Sequence, residues 1–559
     1  MKFMKLGSKP DLFQTEGDNV RYVATELSTD LVISVGDVKF YIHKFPLLSK
    51  SSRLRSLAAA IASSCDIDSE INIDNIPGGP AAFEICAKFC YGMVVTLNAY
   101  NVVAARCAAE YLEMHENVEK GNLVFKIDVF LASGIFRSWK DSIILLSKTK
   151  PFLSYLEGSK VVTHCVESIA MRACTDLSRV DWSYTYNRLR KQQTAPEDWW
   201  AEDLCDLSID LYKRVITSIK GKGILSGSII GAALRAYTVK RLPGFGQGVI
   251  PGSGDLLKYR YVVDSIISLL PREAGSVKCG FLLNLLSASI ILECGETGRR
   301  DLMRRISGQL EEAAVADLLI SGETTMYNVD VVCDLVEQFA SARREDCRSE
   351  FGFDLNDSTA KVARLVDGYL AVVARDPSLP LSKFIALAEM VYDYPRSSHD
   401  RIYRAIDAYL KEHLEMTKSE KKRICRLMDC RRLSSEASAH AVENERLPSR
   451  VAVQILFCEQ TRGSAAMAPR GSSRSLQCAT TANSDDDWES CRAFGELGDL
   501  KDQLRRIKNG SVNSRNGREG KSGTPRKVKM ILSRLWSNRS SLDMSESSSS
   551  TIEPSAGVK

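Results

Sequence analysis

"DLVISVGDVKFYIHKFPLLSKSSRL", Asp30 to Leu54, decides the reading of the N-terminal region. Leu31, Ile33 and Val35 recur at the strand period of two. Gly36-Asp37 then supplies turn chemistry, and Val38, Phe40 and Ile42 recur again. The pattern predicts a β-hairpin over residues 30–44. Phe45 to Ala60 predicts one helix, with Pro46 in its first turn and Leu47, Leu48, Leu54 and Leu57 on one side.

Working outward, "EINIDNI" (Glu70–Ile76) alternates once more, and Pro77-Gly78-Gly79-Pro80 ends it. "AAFEICAKFCYG" and "NVVAARCAAEYLEM" carry helical spacing. The first 115 residues therefore predict a small mixed α+β domain. From about Phe125 to Gln460 the spacing is almost wholly helical. In "DWWAEDLCDLSIDLYKRVITSI" (Asp198–Ile219), Trp200, Leu204, Leu207, Leu211 and Val215 form one stripe. "STAKVARLVDGYLAVVA" and "HDRIYRAIDAYLKEHLEM" repeat it. No clean repeat period emerges, so the region predicts a large multi-helix array. "RLPGFGQGVIPGSGD" interrupts it. Its Gly244, Gly246 and Gly248 follow no strand and precede no Gly-Lys-Ser/Thr, which points to a surface loop and not a phosphate cradle.

Composition narrows the class. With 44% hydrophobic and 26% charged residues in 559, the chain reads as ordinary soluble protein of two or three domains. The start, MKFMKLGSKPDLF, lacks the apolar core of a secretory signal. "GFLLNLLSASIILECG" (Gly280–Gly295) is too short and polar to cross a bilayer. The 16 cysteines form no Cys-x-x-Cys pair, and residues such as Cys90, Cys279 and Cys333 sit on apolar faces. They read as reduced packing residues. None of the six histidines has zinc-ligand spacing, so no metal or cofactor is expected.

An enzyme needs convergent groups. Ser397, Ser398, His399 and Asp400 stand side by side, which is not how a triad converges. Ser398 reads instead as a helix N-cap, and Asp400 as the i,i+4 partner of Arg404. Glu311 and Glu312 read as solvated surface.

The tail differs from the body. Residues 501–540 hold twelve Lys/Arg against Asp502 and Glu519, a surplus of ten, so the rest of the chain sums to −5. After Arg462 the composition predicts disorder, with a brief heptad-like run at Leu497, Leu500, Leu504 and Ile507. "RKVKMILSRLWSNRSSL" predicts a short amphipathic helix at 526–538. Val528, Ile531, Leu532, Leu535 and Trp536 form its stripe, with Lys527, Lys529 and Arg534 on the polar side and flanks. Such a segment suits anionic membrane lipids; a calmodulin-type target or docking on the body are alternatives. Ser537 and Ser541 follow basophilic-kinase patterns, so their phosphorylation would loosen the membrane hold. Trp536 apart, the basic tail lacks interleaved aromatics, and no nucleic-acid partner is expected.

The opening stretch resembles a BTB/POZ domain. The pattern of Asp, alternation, Phe-x-x-His-Lys/Arg and Leu-x-x-x-Ser is met by Asp30, Phe40, His43, Lys44, Leu48 and Ser52. The resemblance implies a homo- or heterodimerising module and, in many relatives, a docking surface for a cullin scaffold. It further implies that Asp30 and Lys44, fourteen apart, face each other near the dimer groove. His43 reads as a cap of the hairpin-to-helix corner. The helical part resembles the domain that follows BTB in the plant non-phototropic-hypocotyl family, through "DWWAEDLCDLSIDLYKRVI", "LLPREAGSVKCGFLLNLLSASIIL", "YPRSSHDRIYRAIDAYLKEH" and "CRLMDCRRLSSEASAHAVENERLPSRVAVQILFCEQ". "MKFMKLGSKPDLF" and "HKFPLLSKSSRL" are most similar to the naked-pins-in-yuc branch.

The expected architecture is therefore an α+β BTB/POZ domain at 28–115, a helical linker region at 116–197, a large all-α domain at 198–462 and a basic Ser-rich tail at 463–559. The resemblance implies a non-enzymatic adaptor of a cullin-RING ubiquitin ligase in auxin-regulated organogenesis, polar auxin transport and gravitropism. The alternative is a plasma-membrane scaffold joining AGC-type kinases and auxin efflux carriers without ubiquitination. It also implies a cytoplasmic protein peripheral at the plasma membrane, with 14-3-3 proteins as possible ligands of the tail. Tyr403 matches a tyrosine-phosphorylation consensus of the family; its position beside Ile406, Asp407 and Leu410 equally fits a packed helix residue.

Overall fold

The computed structural model describes residues 1–62, 70–156, 159–180, 196–246, 255–322, 325–346 and 355–466. The predicted hairpin forms as β4 and β5, but three strands precede it. In chain order the strands are β1 (Phe3–Leu6), β2 (Phe13–Glu16), β3 (Val20–Val23), β4 (Leu31–Val35), β5 (Val38–Ile42), β6 (Glu70–Asn72) and β7 (Val95–Asn98). β1 pairs antiparallel with β7, Phe3 opposite Asn98. The other five form one sheet in the order β2-β3-β5-β4-β6. β4 and β5 are antiparallel with Leu31 opposite Ile42 and Val35 opposite Val38. Gly36 takes φ +55 at the tight turn, a region costly to side chains.

Ile33, Phe40 and Ile42 are fully buried on one face of that sheet. Phe40 meets Phe83 edge-on at 4.8 Å between ring centroids. Each such side chain contributes about 1.5–3 kcal/mol by leaving water. Phe83 comes from α3 (Gly79–Tyr91), which follows α1 (Lys44–Lys50) and α2 (Ser52–Ala62) and precedes α4 (Val102–Tyr111). The helix expected over Phe45–Ala60 is thus two helices. Ser51 breaks it with φ −117 and ψ 115. Its hydroxyl donates to the Leu112 carbonyl at 2.6 Å and accepts the Leu54 N–H at 3.1 Å. A buried serine that serves both partners holds extended backbone where propensity alone continues the helix.

The remainder is helical: α5 (Leu123–Ser133), α6 (Trp139–Lys148), α7 (Val161–Ala173), α8 (Ile209–Lys222), α9 (Gly227–Arg241), α10 (Leu256–Leu269), α11 (Cys279–Ile291), α12 (Glu296–Ser307), α13 (Val329–Asp346), α14 (Leu355–Val373), α15 (Leu381–Met390), α16 (Asp400–Glu412), α17 (Lys418–Cys425), α18 (Ser435–Glu443) and α19 (Ser449–Ala466). The stripe from Trp200 to Val215 is buried throughout. It is carried by two pieces, a turn at Ala201–Leu204 and α8, which starts after Ser208 in extended backbone. α14 packs along α16, whose Ile402, Tyr403, Ala405, Ile406, Tyr409 and Leu410 face inward. Between them lies a buried ion pair: Nε and Nη2 of Arg396 donate to the two oxygens of the Asp367 carboxylate, at 2.9 and 3.1 Å. Arg396 also donates to the carbonyls of Val391 and Tyr392. The described cysteines are mostly buried, and burial pushes the Cys90 thiol up to about 12. Among the described residues no helix is long and apolar enough to cross a membrane.

Gly244 and Gly246 take positive φ at the end of α9, while Gly248 lies outside the described residues. So do Leu497, Leu500, Leu504, Ile507, the 526–538 segment, Ser537 and Ser541.

Candidate partner-docking site

The corner where β5 runs into α1 gathers Asp30, His43 and Lys44. The resemblance implied that the Asp30 and Lys44 side chains face each other near a dimer groove; within the chain Asp30 instead meets the Lys44 backbone. The Asp30 carboxylate accepts the backbone N–H of Lys44 at 2.7 Å. It satisfies one of the free N–H groups at the start of α1. His43 occupies the N-cap position with φ −101 and ψ 137, and its own side chain makes no cap bond. The fourteen-residue separation is thus a helix cap within one chain.

His43 is spent on the corner. Its backbone N–H donates to the Tyr91 hydroxyl at 2.7 Å. Its Nδ1 lies 2.9 Å from that hydroxyl and its Nε2 lies 3.2 Å from the Leu27 carbonyl. A neutral imidazole protonated at Nε2 satisfies both: Nε2–H donates to Leu27, and Nδ1 accepts the Tyr91 O–H. Burial, with the Asp30 charge nearby, pushes the Tyr91 phenol up to about 12, although its bond from His43 opposes this. The Tyr91 phenol therefore keeps its proton and serves this corner as a hydrogen-bonding hydroxyl.

What surrounds the corner faces solvent. Phe45, next to Lys44, is 83% exposed, and Leu27 is 74% exposed. A rigid polar corner carrying large apolar side chains outward is chemically suited to gripping another protein surface. Sequence reasoning missed Leu27, Phe45 and Tyr91. Phe45 carried a signal, since it stands two residues before the helical stripe begins at Leu47. Tyr91 carried none, because its contact spans 48 residues.

The other candidates lie in the helical region. Tyr403 is 2% exposed. Its hydroxyl lies 2.6 Å from His440 Nδ1, and Asn444 Nδ2 donates to it at 3.4 Å. Burial raises its pKa. This is the packed arrangement; phosphoryl transfer to Tyr403 would first require α16 and α18 to part. Beside it a groove of about 660 Å³ is lined by Arg375, Arg404, Lys411, Glu412 and Glu436, charges of both signs. Ser398 is not the cap of α16; His399 holds that position. His399 Nδ1 accepts the Asp429 N–H at 3.0 Å. Asp400 accepts the Ser434 N–H at 2.8 Å and serves there in place of an ion pair with Arg404. Glu311 pairs with Arg343 at 3.2 Å on a 3-10 turn. These groups satisfy one another across helix ends and converge on no common reacting centre.

The chain thus joins a sheet flanked by helices to a large helical body. Residues 22–124 match the BTB/POZ domain model, and residues 198–438 match the NPH3 family model. The chain is 50% identical to the phototropic-responsive NPH3 family protein NPY2 of Arabidopsis thaliana, over 91% of this chain and 86% of that one. It is 43% identical to NPY1 of the same plant, over 96% and 93%. Root phototropism protein 3 of Arabidopsis thaliana is 35% identical over 83% and 78%. No solved structure matches. The chain belongs to the NPH3 family, with a BTB/POZ domain at its front, and it is similar to the NPY branch.

Proposed function

We propose that this protein is a non-enzymatic adaptor whose BTB/POZ domain pairs with a second copy or a close relative and docks a cullin scaffold, while the helical body holds the client of a ubiquitin ligase. The observation that carries the reading is the exposed Phe45 and Leu27 beside a corner fixed by Asp30, His43 and Tyr91. The relatives' printed names connect those proteins with phototropic responses. Auxin-regulated organogenesis, polar auxin transport and gravitropism are the processes this reading assigns to the chain.

The experiment is light scattering on the full chain with and without Phe45→Asp, followed by capture of purified cullin. A Phe45→Asp protein of unchanged melting temperature is expected to lose dimer mass. An unchanged mass removes this face from the interface. Failure of the native dimer to retain cullin at tens of micromolar removes the ligase role.

A second reading rests on the basic surplus of residues 501–540. In it the protein is a plasma-membrane scaffold for AGC-type kinases and auxin efflux carriers. Val528, Ile531, Leu532, Leu535 and Trp536 enter an anionic surface, Lys527, Lys529 and Arg534 hold its phosphates, and phosphorylation of Ser537 or Ser541 releases it or recruits 14-3-3 proteins. Sedimentation with anionic and neutral vesicles tests it: equal binding to both overturns it.

A further inference from the structure

The motif Arg-Arg-x-Ser, a pattern read by arginine-directed protein kinases, occurs twice in the chain, at Arg304-Arg305-Ile306-Ser307 and at Arg431-Arg432-Leu433-Ser434. Kinases of this class recognise the two guanidinium groups through acidic side chains and need an extended backbone with a free hydroxyl. The two copies differ in the exposure of the serine, in the pairing of the guanidinium groups and in the backbone at the serine itself.

Ser307 ends α12. It is 4% exposed, and its hydroxyl donates to the Arg304 carbonyl at 2.9 Å. Arg304 and Arg305 both pair with Asp301, at 2.6 and 2.7 Å. Arg305 donates further to the Pro271 carbonyl. Helical backbone, buried hydroxyl and occupied guanidinium groups close this copy. A related pattern, Arg53-x-Arg55-Ser56, is closed in its own way. Ser56 lies inside α2 with its hydroxyl on the Ser52 carbonyl, and Arg53 stacks on Tyr111 at 3.9 Å.

The second copy is open. Arg431 and Arg432 close a short 3-10 turn at Cys430–Arg432, and the two residues that follow, Leu433 (φ −77, ψ 143) and Ser434 (φ −68, ψ 161), are already extended. Ser434 is exposed, as are Arg431 and Arg432. Arg431 makes no ion pair among the described residues, and Arg432 reaches Asp429 only at 3.8 Å. Arg431 and Arg462 line a shallow groove beside Phe457, with Arg462 donating to the Arg431 carbonyl at 2.8 Å.

We propose that Ser434 is a phosphorylation site for an arginine-directed serine/threonine kinase, on the folded helical body. In the reaction the Ser434 hydroxyl oxygen bonds to the γ-phosphorus of ATP, the bridging bond to the β-phosphate breaks, ADP leaves and the hydroxyl proton is released. The product has partners in place. The Ser434 oxygen already accepts the Ala437 N–H at 3.2 Å as the N-cap of α18. A phosphate there meets the free N–H groups of the first turn and the Arg431 and Arg432 guanidinium groups. It also stands against Asp400, which holds the Ser434 N–H, and against Glu436. The mark therefore strains the contact between the start of α16 and the Leu433–Ser434 segment. The inference does not rest on the adaptor or scaffold reading.

The test treats the full chain with an arginine-directed kinase catalytic subunit and Mg-ATP, and maps the phosphate by mass spectrometry. Synthetic peptides 301–311 and 428–438 serve as unfolded references. Both peptides are expected to react. In the folded chain Ser434 is expected to exceed Ser307 by about tenfold or more, matching the loss of one or two charge-assisted contacts. Ser434→Thr keeps both the cap and an acceptor, so its mark must appear as phosphothreonine. Phosphate on Ser435 alone, or no mark on the folded chain while peptide 428–438 reacts, overturns the proposal.

Discussion

Two corners of this molecule use the same parts to opposite ends. In the BTB/POZ domain Asp30 caps the Lys44 N–H at 2.7 Å, and His43 meets Tyr91 at 2.9 Å. In the helical body Asp400 holds the Ser434 N–H at 2.8 Å, and His440 meets Tyr403 at 2.6 Å. Each joins a carboxylate, a histidine and a tyrosine, the first at the start of α1 and the second between α16 and α18. The first corner lifts Phe45 and Leu27 into solvent. The second closes over Tyr403 and lies near the fully buried Asp367–Arg396 pair. The same hydrogen bonds therefore build a presenting surface in one place and an internal frame in the other. What differs is the apolar surroundings.

The frame is where substitution costs most. Asp367→Ala strands the Arg396 guanidinium, whose side chain is 4% exposed. Breaking a buried pair by removing one partner costs about 3–5 kcal/mol. Urea unfolding of the full chain is expected to show a loss of that size. A loss below 1 kcal/mol would mean that water reaches the pair and that the frame is looser than the corner it is compared with.

Tyr403→Phe and Asp30→Ala then compare the corners directly. Tyr403→Phe removes the hydroxyl's short bond with His440 and the long one from Asn444 and keeps the ring, for about 1 kcal/mol. Asp30→Ala removes a helix cap, also for about 1 kcal/mol. Equal effects on unfolding are expected, with an effect on dimer mass only from Asp30→Ala. If Tyr403→Phe alters self-association as well, the division into surface and frame fails.

These corners also show what could be read in advance. The hairpin was legible because Leu31 to Ile42 alternate within a dozen residues and their burial follows that alternation. β1 to β3 were not. "FMKL", "FQTE" and "VRYV" are four-residue strands holding charges, and β1 finds its partner some ninety residues away. The pairing of Asp30 with Lys44 came from the family resemblance alone, and whether the carboxylate meets an ammonium or an amide depends on the path of the backbone. Ser51 was misread for the same reason: its partner, the Leu112 carbonyl, is 61 residues distant. Ser398 and Asp400 read as local helix chemistry, yet His399 holds the cap position, and His399 and Asp400 both meet the segment 429–434.

A pH measurement separates the corners next. Burial, then the charges of Arg396 and Arg432, lower the His399 pKa, while Asp429 and Asp367 oppose them. The folded chain thus favours neutral His399, whereas the unfolded chain titrates near about 6.5. The contribution is full above about 6.5. It is lost as the pH falls, because the unfolded state then binds a proton the folded state refuses. His399→Asn, whose side-chain oxygen can still accept the Asp429 N–H, is expected to unfold with less loss of stability between pH 7.5 and 5.5 than the native chain. An identical slope in both proteins assigns the pH dependence elsewhere.

The smallest expected effect is the same in both regions, because both use one residue in one motif. α4 and α11 each end in a glutamate with positive φ, Glu113 at +55 and Glu293 at +52. In each, the next N–H reaches back over the turn: Met114 to the Ala109 carbonyl at 2.9 Å, and Cys294 to the Ser289 carbonyl at 2.8 Å. The glutamate N–H bonds the residue three back, Glu110 or Ile290. This is the Schellman arrangement, whose left-handed position favours glycine. The residue that follows is buried in both, Met114 at 0% and Cys294 at 3%. Backbone strain is thus held by an apolar anchor, and an acidic side chain sits at the unfavourable end of the helix dipole. Glycine relieves both but adds freedom to the unfolded chain. Glu113→Gly and Glu293→Gly are therefore each expected to stabilise by about 0.5 kcal/mol. The two lie in different regions with no shared partner, so the double variant is expected to gain the sum. A gain at Glu293 with none at Glu113 would show that the BTB/POZ domain opens on its own before the helical body unfolds.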